Sequence, residues 1–129
     1  MTYLADTSWV VEHFRGNQEV TDRLNSLGNE VVSISIITVA ELYVGAYRSS
    51  NLTRTLSAVR DFIGKVVVLD INDDICLRFG REKAVLLDKG QPIGDADLLI
   101  AATALHHGLT LLTRDLDFER IDDLQTVYL

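Results

Sequence analysis

The side chains in this sequence best suited to chemistry are carboxylates, in four short signatures spread along the chain: Asp6 in YLADTS, Glu41 in TVAEL, Asp97 in GDADLLIAATA, and Asp115 with Asp117 in LLTRDLDF. Each stands where an apolar run stops or a helix begins, which is where a fold can gather distant residues. Two carboxylates about 5 Å apart repel by roughly 3 kcal/mol at an effective dielectric near 20. Four of them gathered together would take up protons or bind a cation. Oxygen ligands without His or Cys favour Mg2+ or Mn2+ over zinc. The histidines offer no such set: His13 falls mid-helix, and His106 and His107 close a helix whose negative end suits them.

Each acid also has a structural role open to it. Asp6 follows the first strand, where ligands bind in open α/β sheets, and it can equally cap a helix starting at Ser8. Thr38-Val39-Ala40-Glu41 matches a capping box, in which the glutamate reaches back to the cap's backbone N–H. Asp97 lies in the first turn of an apolar helix, where negative charge is worth about 0.3–1 kcal/mol without any chemistry. Asp95 already stands at the cap position of that helix, so a second acid there points to function. Asp115 and Asp117 follow the strand LTLL in a loop that, read singly, is a solvated turn. Their shared position is more informative than any one of them, because all fall at the carboxyl edge if the strands run parallel.

The elements that would position these acids alternate between strand-like and helix-like. Residues 2–5 form a short apolar run, followed by a helix from Ser8 to near Gly16 and a second one in EVTDRLNSLG that stops at Gly28. VVSIS (31–35) is β-branched and strand-like, and Thr38 opens a helix with Val39, Leu42, Tyr43 and Ala46 on one face. Asn51 caps the next helix, with Gly64 after it. VVVLDI (66–71) is a continuous apolar run, the kind buried on both faces of a parallel sheet. Asn72 caps a long helix reaching Lys89, and Gly90 ends it. The helix carrying LLIAATAL is apolar nearly all round, which predicts a central place. LTLL (109–112) and TVYL (126–129) supply the last strands. The pattern predicts an α/β fold over residues 1–129, with a mostly parallel sheet of four to five strands and helices on both faces.

The composition narrows the setting. With 129 residues, 47% hydrophobic and 24% charged, the chain can bury a core. No run approaches the roughly 18 apolar residues of a membrane span, and MTYLADTSW lacks the pattern of a signal peptide. Cys76 is the only cysteine, which predicts a buried structural thiol in a reducing, cytoplasmic setting. A net charge of −7 argues against broad nucleic-acid binding by counterion release, although metal ions can invert the potential of an acidic cleft.

Taken together, LADTS, TVAELYVGA, PIGDADLLIAATALHHG and LTLLTRDLDF resemble, in order and spacing, the PIN-domain ribonucleases of the VapC toxin type. The resemblance covers essentially the whole chain. It implies an acidic quartet of Asp6, Glu41, Asp97 and Asp115, flanked by Thr113 and Asp117, with Asp95 a neighbour. Asp115 and Asp117 both fit the fourth place, and Asp115 is preferred. It further implies Mg2+- or Mn2+-dependent cleavage of RNA, a homodimer, and a VapB-like antitoxin that inserts a C-terminal segment into the active-site groove and forms a higher hetero-oligomer. In that setting Asp6, Asp97 and Glu41 would hold the metal, and Asp115 would complete a second position or orient water. Arg48 and Arg114, expected near the carboxyl edge, are the candidate phosphate contacts.

Two other classes compete. A receiver-type signalling domain would use Asp70, at the end of VVVLD, as phosphoacceptor; but Asp6 is followed by Thr7 rather than a second acid, and the late strand gives Thr113-Arg114 rather than lysine. A haloacid-dehalogenase-like phosphatase would need a second Asp where Ser8 stands, and no Gly-rich nucleotide loop occurs. The remaining class is a non-catalytic module that binds RNA or protein, with its acids acting only as caps and turns.

Overall fold

Strands with apolar side chains on both faces need cover on both sides, and that requirement organises this chain. The computed structural model describes residues 2–27 and 32–128. Its strands are β1 (Tyr3–Ala5), β2 (Val32–Ser35), β3 (Val67–Leu69), β4 (Thr110–Thr113) and β5 (Thr126–Tyr128). All pair in parallel, in the order β3-β2-β1-β4-β5. The helices are α1 (Thr7–Phe14), α2 (Gln18–Ser26), α3 (Ile36–Tyr47), α4 (Leu52–Ile63), α5 (Asp73–Asp88) and α6 (Asp95–His107). A 3-10 turn at Leu116–Arg120 leads towards β5.

Alternation along the strands divides the core. Leu4 of β1 and Leu111 of β4 pack with Leu86, Leu98, Ile100 and Ala104 from α5 and α6. Ala5 and Leu112, the next residues, face the other way onto Trp9, Val20, Leu42 and Val59 of α1 to α4. Helices therefore cover both faces, as the sequence predicts. Helix α6 is buried along Leu98 and Ile100 to Ala104, in agreement with its all-round apolar pattern. It stops at Gly108, whose φ of +66° lets the chain turn in the left-handed region that L side chains disfavour.

The strand order has a functional consequence. The chain builds outward from β1 through β2 to β3, then returns to place β4 on the other side of β1. The carboxyl ends of β1 and β4 thus flank a topological switch point, where open α/β sheets bind ligands. Asp6 and Arg114 directly follow these two strands.

Several local expectations need correction. Helix α3 starts at Ile36, not Thr38, because Ser35 caps it by accepting a hydrogen bond from the Ile37 N–H. Thr38 therefore lies within the helix and makes no capping box with Glu41. Asp95 is the first residue of α6 rather than its cap; Gly94 holds the cap position and offers no side-chain acceptor. The run at 66–71 yields only a three-residue strand at the sheet edge, with Val67 40% exposed, so it is not buried on both faces. Cys76 is exposed on α5 rather than buried. The caps at Asn51 and Asn72 are present, each accepting a backbone N–H. The expected stop at Gly28, and the strand ends at Val31 and Leu129, lie outside the described residues. No helix among the described residues is long and apolar enough to cross a membrane.

Candidate active site

At the switch point Asp6 is 2% exposed and both carboxylate oxygens are engaged. Oδ1 caps α1 by accepting from the Trp9 N–H at 3.0 Å and also accepts from Ser8 Oγ at 2.6 Å. Oδ2 accepts a short hydrogen bond from Thr113 Oγ1 on the neighbouring strand. Asp6 therefore caps α1 while lying at the switch point, so the cap reading does not exclude a place in the site. Burial raises its pKa, the bonds from Ser8, Thr113 and Trp9 pull it back, and the charge of Asp115 adds to the rise. Thr113, fully buried, also accepts from the Asp115 N–H at 3.0 Å, which ties the loop after β4 to Asp6.

Asp97 reaches the same place from α6. It is half-buried in the helix's first turn, and no hydrogen bond reaches its carboxylate among the described residues. Its pKa is pushed up to about 6, by burial first and then by the negative charges of Glu41, Asp115, Asp6 and Asp117. These five acids come from four separated stretches of chain. They share one electrostatic neighbourhood, which is what the sequence pattern required. The macrodipole of α6 favours the ionised form of Asp97, yet the surrounding carboxylates and burial outweigh it.

The other candidates fall into place around this centre. Glu41 accepts from Thr7 Oγ1 at 2.7 Å. Asp115 accepts the Asp117 N–H on Oδ1 at 2.9 Å, and Asp117 pairs with Arg120 at 3.2 Å, whereas no ion pair reaches Asp115 among the described residues. Asp95 points away, bound to Lys83 of α5 at 2.7 Å. Arg114 follows β4 at the carboxyl edge, as expected, with its N–H 3.4 Å from Ser8 Oγ. Arg48 does not: it caps the C-terminus of α3, seven residues beyond Glu41 and so roughly 10 Å further down the helix axis. Asp70, the receiver candidate, is exposed beyond the edge strand β3 and is not among the acids acting on Asp97.

A groove of about 590 Å3 runs from Glu41 between α1, α3 and α4, floored by Leu42, Ala46 and Val59 and flanked by Arg15 and Arg54. The sequence pattern did not single out these two arginines. Each sits near the end of its helix, and only the packing of α1 against α3 and α4 turns them towards one trough.

The donor chemistry suits a hard divalent cation. The acids gathered here offer oxygen ligands, and among the described residues no ion pair neutralises Asp97 within this crowding of negative charge. Among the described residues no three acidic, His or Cys side chains close into a finished ligand set. The carboxylates thus converge in field but stand open in geometry.

Residues 3–124 match the PIN domain family. The chain is 35% identical to ribonuclease VapC1 of Haemophilus influenzae (strain R2866), covering 97% of this chain and 96% of that protein. It is 33% identical to the tRNA(fMet)-specific endonuclease VapC of Salmonella typhimurium, again over 97% and 96% of the two. In three dimensions it resembles the VapBC2 complex of Rickettsia felis bound to a promoter DNA fragment, with a TM-score of 0.93 at 28% identity, covering 100% of this chain and 99% of that one.

Proposed function

This chain belongs to the PIN-domain family and to its VapC branch, and from that premise we propose that it is a metal-dependent endoribonuclease, the toxin of a VapBC-type pair. The observation that carries the reading is Asp97: a carboxyl held up to about 6 by burial and, after it, by acids from three other stretches of the chain. A fold that assembles such repulsion, with no ion pair reaching Asp97 among the described residues, is suited to receive an external counter-charge.

Asp6, Asp97 and Glu41 would hold Mg2+ or Mn2+, with Asp115 beside them. Such a cation, when bound, supplies charge neutralisation at the scissile phosphate and lowers the pKa of a bound water. The chain's own part is positioning. Thr113, Ser8 and the Trp9 N–H fix Asp6 from three directions. Asp97 accepts no hydrogen bond on either carboxylate oxygen among the described residues. Asp115, anchored through Thr113, is the acid placed to orient an attacking water, and it is the better fourth member because Asp117 is taken by Arg120. Arg114 is the candidate phosphate contact at the edge, and Arg15 and Arg54 extend positive charge along the groove.

The partner follows from the same surface. A VapB-like antitoxin would lay its C-terminal segment in the α1–α3–α4 groove, which reaches Glu41, and so cover the acids. Residues 1–129 would act as one PIN unit in the cytoplasm, as a homodimer and, with antitoxin, in a larger complex.

The test is cleavage of RNA by the purified, partner-free protein with Mn2+ and with excess EDTA. Cleavage that EDTA abolishes and Mn2+ restores is the expected result. EDTA-resistant cleavage, or none with Mn2+ present, would remove the metal-dependent reading.

A further inference from the structure

Among the described residues, Glu41 is the site acid whose position rests on two hydroxyls in series. Thr7 Oγ1 lies 2.7 Å from Glu41 Oε1 and 2.9 Å from Thr38 Oγ1. Thr38 is fully buried, while Thr7 is half-buried at the start of α1. A hydroxyl carries one proton, and a carboxylate can only accept. The Thr7 proton is therefore committed to Glu41, and the bond between the threonines must be donated by Thr38. Direction follows from proton count: Thr38 donates to Thr7, and Thr7 donates to Glu41.

We infer that Thr38 and Thr7 form a one-way hydroxyl relay that positions Glu41 towards the other acids. This deepens the proposed function, since it assigns two positioning residues to the same site. Thr38 and Glu41 are neighbours one turn apart on α3, whereas Thr7 comes from α1. The relay thus locks the Glu41 side chain to the helix that Asp6 caps. It also gives Thr38 an outlet other than the carbonyl of the preceding turn, the usual partner of a threonine inside a helix. Hydroxyl bonds in series polarise one another, so loss of the buried member weakens the outer one. Among the described residues no hydrogen bond joins Thr38 to Glu41, so the bonded path between them runs through Thr7.

The experiment compares Thr7→Val, Thr38→Val, their double variant, and the conservative Thr7→Ser and Thr38→Ser. Two readouts are taken: the three-bond couplings across the Glu41 Cα–Cβ bond in metal-free protein by NMR, and Mn2+ affinity by calorimetry. Thermal unfolding monitors the fold. Expected are a single Glu41 rotamer in the parent and both serine variants, and rotamer averaging in both valine variants. Mn2+ binding should weaken about ten- to a hundred-fold in Thr7→Val, the range for groups that orient metal ligands. The loss should be smaller in Thr38→Val, which leaves the Thr7 donor intact. The double variant should match Thr7→Val alone, because the two act in series. Additive losses, or a single Glu41 rotamer in Thr7→Val, would overturn the relay. Should the valine variants fail to fold, the serine variants decide: averaging in either one also overturns it. If the couplings behave as expected while the parent neither binds Mn2+ nor cleaves RNA, the relay stands and the nuclease reading falls.

Discussion

Asp6 at the β1–β4 switch point and Asp97 at the start of α6 share one negative field, yet the molecule treats them in opposite ways. Asp6 is almost wholly buried and receives three hydrogen bonds, one of which also caps α1. Asp97 is half-buried and receives none among the described residues, and its carboxyl is pushed up to about 6 by burial and four neighbouring acids. The first is part of the scaffold; the second is the carboxyl that the proposed function assigns to an external cation. A site acid can therefore be recognised by what the protein withholds from it as much as by what it provides.

Substitution should separate the two. Asp97→Asn and Asp6→Asn are each expected to reduce RNA cleavage by roughly a hundred-fold or more, since even supporting groups of a metal site cost ten- to a hundred-fold. Only Asp6→Asn should also destabilise the fold, by about 1–3 kcal/mol in urea unfolding. An amide has one acceptor oxygen for three donors, and the mismatch is buried. Asp97→Asn should unfold no earlier than the parent. Equal destabilisation of the two variants would erase the contrast.

The loop after β4 offers the next test. Asp115→Asn should lower cleavage by roughly ten-fold or more, as expected for a group that supports the metal site. Asp117→Asn, whose carboxylate is engaged by Arg120 on the exposed side, should change it by about two-fold or less, the small effect of an exposed pair. Rates from single-turnover cleavage of one RNA would decide, and the reverse order would make Asp117 the fourth acid.

The smallest effect concerns pH. A carboxyl whose folded pKa lies above its unfolded value stabilises the fold when protonated, and that contribution is lost as pH rises through the folded value. For metal-free protein the Asp97 contribution is therefore fully present below the ordinary carboxyl value of 3.8, falls progressively as pH rises towards the folded value of about 6, and is gone by about pH 7. Because the group is half exposed, screening leaves on the order of 1 kcal/mol. Unfolding in EDTA between these limits should show this slope in the parent relative to Asp97→Asn; parallel profiles would mean that the field at Asp97 is weak.

Much of this architecture was legible in the sequence because it is written in local chemistry. Asn51 and Asn72 read as caps, LLIAATAL as a central helix, and the acids as strand-end and helix-start residues. What escaped depended on neighbours in space. Ser35 sits inside a β-branched run that continues through Ile36 and Ile37, which hides the true cap and makes Thr38 read as the helix start. The apolar continuity of 66–71 carries no information about how many strands lie beyond, and β3 is the edge. Arg48 and Arg54 are six positions apart, and only helix packing decides that Arg54 lines the groove. The same holds for Cys76, whose apolar character did not determine which side of α5 it would occupy.

Strand β1 is made first, yet it lies in the middle of the sheet and receives its second neighbour, β4, only when the chain has reached Thr113. Thr113, 107 positions beyond Asp6, completes the clamp on that acid. Contacts so distant along the chain close late. A nascent chain on the ribosome consequently carries Asp6 and Glu41 for most of its synthesis without an assembled centre. The topology thus makes the acidic centre a late product of synthesis, closed only when the strand on the far side of β1 is in place.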